Sequence, residues 1–85
     1  MALIRFDKAL ASAVADFNDP TNKECNTLQK NIRDILKKYD LDSMNIAKIL
    51  ETVFDDLTKS NLLPPPYRNK EYICALTVLV IHEEL

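Results

Sequence analysis

The sequence predicts an all-α fold, and three observations carry that prediction. The chain has no glycine, its apolar residues recur at steps of three and four, and its one proline cluster, Pro64-Pro65-Pro66, falls between two such stretches. Glycine is the usual occupant of left-handed turns and β-bulges, and two-residue hairpins rely on Asn-Gly or Asp-Gly. None of these can be written here, which argues against a fold built from tight hairpins. A chain of 85 residues forms one domain, burying roughly 60–65% of the surface its unfolded form exposes. Its 47% apolar content is enough to fill a modest core without staples.

The first helix is expected over about residues 3–17, where Leu3, Phe6, Leu10, Val14 and Phe17 line one face and Ala9, Ala11, Ala13 and Ala15 add intrinsic propensity. Asn18-Asp19-Pro20 then reads as a stop and a restart. Asp19 can cap exposed amides, and Pro20 suits a first-turn position whose missing N–H costs nothing. The second helix, about residues 20–39, carries Cys25, Leu28, Ile32, Ile35, Leu36 and Tyr39 on one stripe. Asp40-Leu41-Asp42-Ser43 interrupts that pattern, and Asp42 or Ser43 can cap a third helix over about residues 43–60. Its inward face is Ile46, Ile49, Leu50, Val53 and Leu57, with Phe54 beside it.

Each proline of the cluster disfavours helical geometry in the residue before it, so the segment is expected to be an extended, polyproline-type connection. Asn69 is the cap expected for the fourth helix, about residues 69–84, which is apolar from Tyr72 to Ile81 around nearly its whole circumference. Valine and isoleucine in that run favour strands, but a lone strand would have no partner in an otherwise helical chain. Short connections favour antiparallel neighbours, so the expected architecture is a single up-down-up-down four-helix bundle with the fourth helix most buried. That helix has more apolar surface than one layer needs. Either it is simply buried, or a remaining face around Ala75, Val78, Ile81 and Leu85 pairs with a partner or a second copy, as in a homodimeric helical adaptor.

The net charge is −2, from eleven Lys and Arg against thirteen Asp and Glu. Duplex-binding modules depend on clustered positive charge, so nucleic acid is not an expected partner. The longest apolar run is about half what a bilayer span requires, and the opening residues lack the pattern of a signal peptide. The expectation is a soluble, cytoplasmic protein. Cys25 and Cys74 match no metal spacing, with His82 the one histidine. In the expected bundle they sit on diagonal helices, beyond the reach of a disulfide, and are read as free thiols. Cys74 and His82 lie eight positions apart on one helix, a rise of ~12 Å that is too long for a catalytic dyad. Without glycine there is also no phosphate-cradling loop. No catalytic residue, metal or cofactor is expected, and the chain is read as non-enzymatic.

What remains is surface charge. The third helix carries Glu51, Asp55 and Asp56, and the expected bundle gathers Asp40, Asp42, Glu83, Glu84 and the terminal carboxylate at one end. One reading is a solvated face laced with local pairs such as Asp34–Lys38 and Asp55–Lys59. The other is an acidic docking surface at Glu51, Asp55, Asp56, Asp40 and Asp42 for a protein partner with a basic cleft. The loop Pro64-Pro65-Pro66-Tyr67-Arg68 adds an aromatic and an arginine, residue types that often anchor interfaces.

With Asn18-Asp19-Pro20 ahead of the second helix and the Leu28/Ile32/Ile35 and Ile46/Leu50/Val53 stripes, the layout resembles that of small bacterial immunity proteins, which neutralise a bacteriocin or contact-delivered toxin. The resemblance is one of architecture over the whole chain, without a family motif. It implies stoichiometric binding to a toxin domain through an acidic or apolar surface, with no catalysis by this chain.

Overall fold

Three asparagines start three of the four helices. In each case the side-chain Oδ1 accepts the backbone N–H three residues on: Asn22 from Cys25 at 3.0 Å, Asn45 from Lys48 at 2.9 Å and Asn69 from Tyr72 at 3.1 Å. Each bond satisfies an amide that the helix itself leaves without a partner. The computed structural model describes residues 2–84, with side chains from Asp7 to Glu83. It contains α1 (Ala2–Phe17), α2 (Lys23–Leu36), α3 (Ile46–Lys59) and α4 (Lys70–Glu84), with no strand among the described residues. The expected roles of the Leu3 and Phe6 side chains, of Glu84 and of Leu85 lie outside what is described.

Of the expected caps, Asn69 is the one that acts as such. Asp19 instead closes a local turn, accepting from the Thr21 amide at 3.0 Å and the Thr21 hydroxyl at 2.6 Å. These two bonds hold its carboxyl below the usual carboxylate range. α2 therefore begins at Lys23, three residues later than expected. Ser43 is likewise diverted, its hydroxyl donating to the Asp40 carbonyl within a short 3-10 turn, Leu41–Ser43, and Asn45 takes over as cap. Ile46 becomes the first residue of α3, beyond the edge of the core, and is 54% exposed rather than buried. The proline segment is extended at Pro64 but tightens into a second 3-10 turn, Pro65–Tyr67, with Tyr67 N–H on the Pro64 carbonyl at 2.8 Å.

Two residues beyond the end of α3 stands the one residue with positive φ among those described, Asn61 at 56°. The Leu62 amide reaches back to the Leu57 carbonyl at 2.9 Å and the Asn61 amide to Thr58 at 3.1 Å, the paired bonds of a Schellman cap. Asparagine is the best non-glycine choice for this left-handed position. A glycine-free chain can thus still make the turn.

α4 packs against all three other helices, most extensively against α1. Its Tyr72, Ile73, Ala75, Leu76, Thr77 and Val80 are buried, and Val78, Leu79 and Ile81 are half-buried. They meet Cys25, Leu28, Ile32, Ile35 and Leu36 of α2 and Ile49, Val53 and Leu57 of α3 in one core. Buried Thr77 returns its hydroxyl to the Ile73 carbonyl at 2.7 Å, so the apolar interior holds no orphaned donor there. On α1 the inward face is rotated from the expected one: Ala13 is fully buried, with Ala9, Leu10 and Phe17 half-buried, whereas Val14 is 38% exposed. Small alanines let the two helix axes approach, which a valine face would hold apart. Cys25–Tyr72 joins the first turns of α2 and α4, and Arg33–Glu83 joins their last turns, so these two helices run in the same direction. The radius of gyration, 12.1 Å, matches the value of about 12 Å expected for a close-packed chain of this length.

Candidate functional site

The acidic residues singled out from the sequence fall into two groups, and a tyrosine links the connection that carries one of them to the helix that carries the other. Glu51 and Asp55 stand one turn apart on the outward side of α3, both exposed. Asp40 and Asp42 are exposed on the connection between α2 and α3. Between them lies Tyr39. Expected on the buried stripe of a longer α2, it instead follows the end of that helix at Leu36, is 37% exposed, and donates its hydroxyl to Asp56 Oδ2 at 2.7 Å. That bond raises the Tyr39 phenol above its ordinary pKa, with burial and the Asp56 charge adding in the same direction. It also pins the connection carrying Asp40 against α3.

Asp56 is accordingly half-buried and engaged, while Glu51 and Asp55 have no basic side chain within ion-pair distance among the described residues. The local pairs Asp34–Lys38 and Asp55–Lys59 do not close; α2 has ended before Lys38, which removes the helical spacing that would align it with Asp34. Glu83 is a different case. It is joined to Arg33, so its charge is compensated and does not add to the acidic surface.

A second constellation lies where α1, α2 and α4 converge. The Tyr72 hydroxyl donates to Asp16 Oδ2 at 2.6 Å, the Cys25 sulfur is 3.8 Å from that hydroxyl, and Gln29 Nε2 donates to the sulfur at 3.4 Å. Since the phenol's single proton goes to the carboxylate, the thiol is the donor toward the phenol oxygen. The chain of donors runs from α2 through α4 to α1. Burial first, then the bonds to Asp16 and Cys25, push the Tyr72 phenol far above its ordinary range. The Tyr67 ring packs on Tyr72 with centroids 5.4 Å apart, and its hydroxyl donates to Asn22 Oδ1 at 3.3 Å. Both contacts hold the loop before α4 against α2 and α4. A surface hollow of about 630 Å³ lies over this end, between α1 and the loop before α4.

Sequence periodicity assigned Tyr72 to an apolar face and passed over Asp16. The available signal was Asp16 itself, a carboxylate placed between Ala13 and Phe17 on the side of α1 that turns inward. A charge there needs a partner.

This constellation ties three helices together through hydrogen bonds. The phenol is harder to ionise than a free one, and the thiol beside it is fully buried. Cys74 is half-buried, and burial raises its thiol, with Lys70 opposing and Glu71 reinforcing that effect. His82 is exposed at the far end of the same helix. Among the described residues no group of His, Cys, Asp and Glu side chains has the arrangement to hold a metal ion, and no helix is long and apolar enough to cross a membrane. Compared with known protein families, curated proteins and solved structures, the chain shows no significant match.

Proposed function

We propose that this chain is a non-enzymatic protein-binding module, an immunity-type protein that neutralises a toxin by stoichiometric binding through its acidic face. Helices alternating in direction around α4 form the scaffold, an arrangement that the shared direction of α2 and α4 supports. The observation that carries the reading is the Tyr39–Asp56 bond at 2.7 Å, which ties the connection carrying Asp40 and Asp42 to an α3 whose Glu51 and Asp55 close no ion pair among the described residues. Unpaired carboxylates around a half-exposed tyrosine combine electrostatic steering with an aromatic anchor, the pairing that a basic cleft on a partner would select.

The test begins with the product of the neighbouring gene. Co-expression with a toxin domain encoded there gives an equimolar complex in which the toxin is inactive. Glu51→Lys with Asp55→Lys then slows association about tenfold and flattens its dependence on salt. Asp56 is left intact because its bond to Tyr39 makes any change there structural as well. An association rate and salt slope equal to those of the unaltered protein defeat the acidic-face reading.

A further inference from the structure

We infer that the hollow between α3 and the proline loop is a docking point for a partner segment that pairs a large apolar side chain with a carboxylate. The hollow has a volume of about 320 Å³ and is lined by Phe54, Thr58, Asn61, Leu63 and Arg68. That is near the lower end for ligand sites, roughly 300–1,000 Å³, and suits one side chain better than a cofactor. Its wall is fixed by backbone geometry, because the Schellman cap at Asn61 turns the chain sharply and brings Leu63 back beside α3. Thr58 has already returned its hydroxyl to the Phe54 carbonyl at 2.9 Å, so it asks nothing of an occupant.

One cation lines the hollow, and a second stands over the ring of its Phe54. Arg68 donates from Nε to the Leu63 carbonyl at 3.2 Å, which orients the guanidinium and leaves its terminal nitrogens for another acceptor. Lys70 Nζ lies 5.9 Å from the centroid of the Phe54 ring. Neither is joined to a carboxylate among the described residues, and no carboxylate lines the hollow. An oriented guanidinium beside an apolar floor is the arrangement that recognises a carboxylate attached to an apolar group. A basic or neutral segment leaves the Arg68 terminal nitrogens without an acceptor. The site stands on different residues from the acidic face, so reversing Glu51 and Asp55 tests that surface and reversing Arg68 and Lys70 tests this one.

The probe is the blocked peptide acetyl-Asp-Glu-Phe-Asp-Glu-amide, titrated to about 5 mM into the isotope-labelled full chain with amide shifts as the readout. Saturable shifts are expected at Phe54, Thr58, Leu63 and Arg68, and they disappear when the peptide's Phe is replaced by Ala. Arg68→Glu with Lys70→Glu weakens binding at least about tenfold, whereas Arg68→Lys, which keeps the charge, weakens it less. Both side chains are exposed, and an unchanged spectrum elsewhere shows that the variants fold. The inference is overturned if no saturable shift is seen, if shifts fall on other residues, or if the reversed variant binds equally well. It is also overturned if 3-phenylpropionate matches the peptide in shifts and affinity, because the occupant is then a free small acid and not a segment of a partner.

Discussion

The Tyr72 hydroxyl reaches Asp16 Oδ2 at 2.6 Å and ties the last turn of α1 to the first turn of α4. Tyr72 is a buried residue and its oxygen also faces the Cys25 thiol, so one phenol links all three helices at this end. A hydrogen bond to a carboxylate in such surroundings contributes more than a neutral bond in water, and removing one member leaves the others unsatisfied.

Tyr72→Phe keeps the ring and its packing on Tyr67 but deletes the donor, and it should lower stability by about 1–2 kcal/mol at neutral pH, read from chemical denaturation. The pH dependence gives an independent check. The folded phenol is raised above its ordinary value of 10.0, so its contribution is fully present below about pH 10 and is lost as pH rises further. At that point the unfolded chain releases a proton that the folded chain retains, and stability falls by up to about 1.4 kcal/mol per pH unit. The Phe variant should therefore show a flatter decline between about pH 10 and 12. Equal slopes in the two proteins would mean that Tyr72 ionises freely in the fold.

Asn61 offers a backbone test. At φ 56° it occupies a conformation that suits glycine, in a chain that has none. Asn61→Gly should leave stability unchanged or raise it by a few tenths of a kcal/mol, while Asn61→Val should lower it by about 1–2 kcal/mol because a β-branched side chain collides with the backbone in this region. Thermal melts of the two variants separate this backbone effect from any loss of side-chain contacts. If Gly and Val are equally destabilising, the left-handed cap is not what positions Leu62 and Leu63.

These two sites mark the boundary of what the sequence makes legible. Helix existence is written in the three-and-four spacing of Leu28, Ile32 and Ile35, or of Ile49, Val53 and Leu57, because burying a continuous stripe outweighs every local preference. Helix starts are less legible. Asp19 and Asn22, or Ser43 and Asn45, are chemically close, and the choice rests on whether a neighbour such as Thr21 or the Asp40 carbonyl draws the side chain into a turn first. Tyr39 shows the cost of that uncertainty. Three residues beyond the end of α2, it leaves the core stripe and becomes the link to Asp56. The Asp16–Tyr72 pair was illegible for another reason: 56 residues separate its members, and no periodicity reports a single long-range hydrogen bond.

The thiols decide whether any reactive centre survives in this fold. Cys25 is fully buried between the Gln29 amide and the Tyr72 hydroxyl, and Cys74 is half-buried with its thiol raised above the model-compound value of 9.0 by burial. The thiolate is the species that reacts, so a raised thiol means less of it at any working pH. At pH 8, Cys74 should react with an aromatic disulfide more slowly than the same thiol in denaturant, and Cys25 should stay silent until the chain opens. In Cys74→Ser the labelling rate then reports the opening that exposes Cys25, and it should rise on introducing Tyr72→Phe, which removes the hydroxyl beside that thiol. Native Cys74 reacting faster than an unfolded thiol would instead reveal an activated nucleophile, and with it a catalytic role that a binding module does not require.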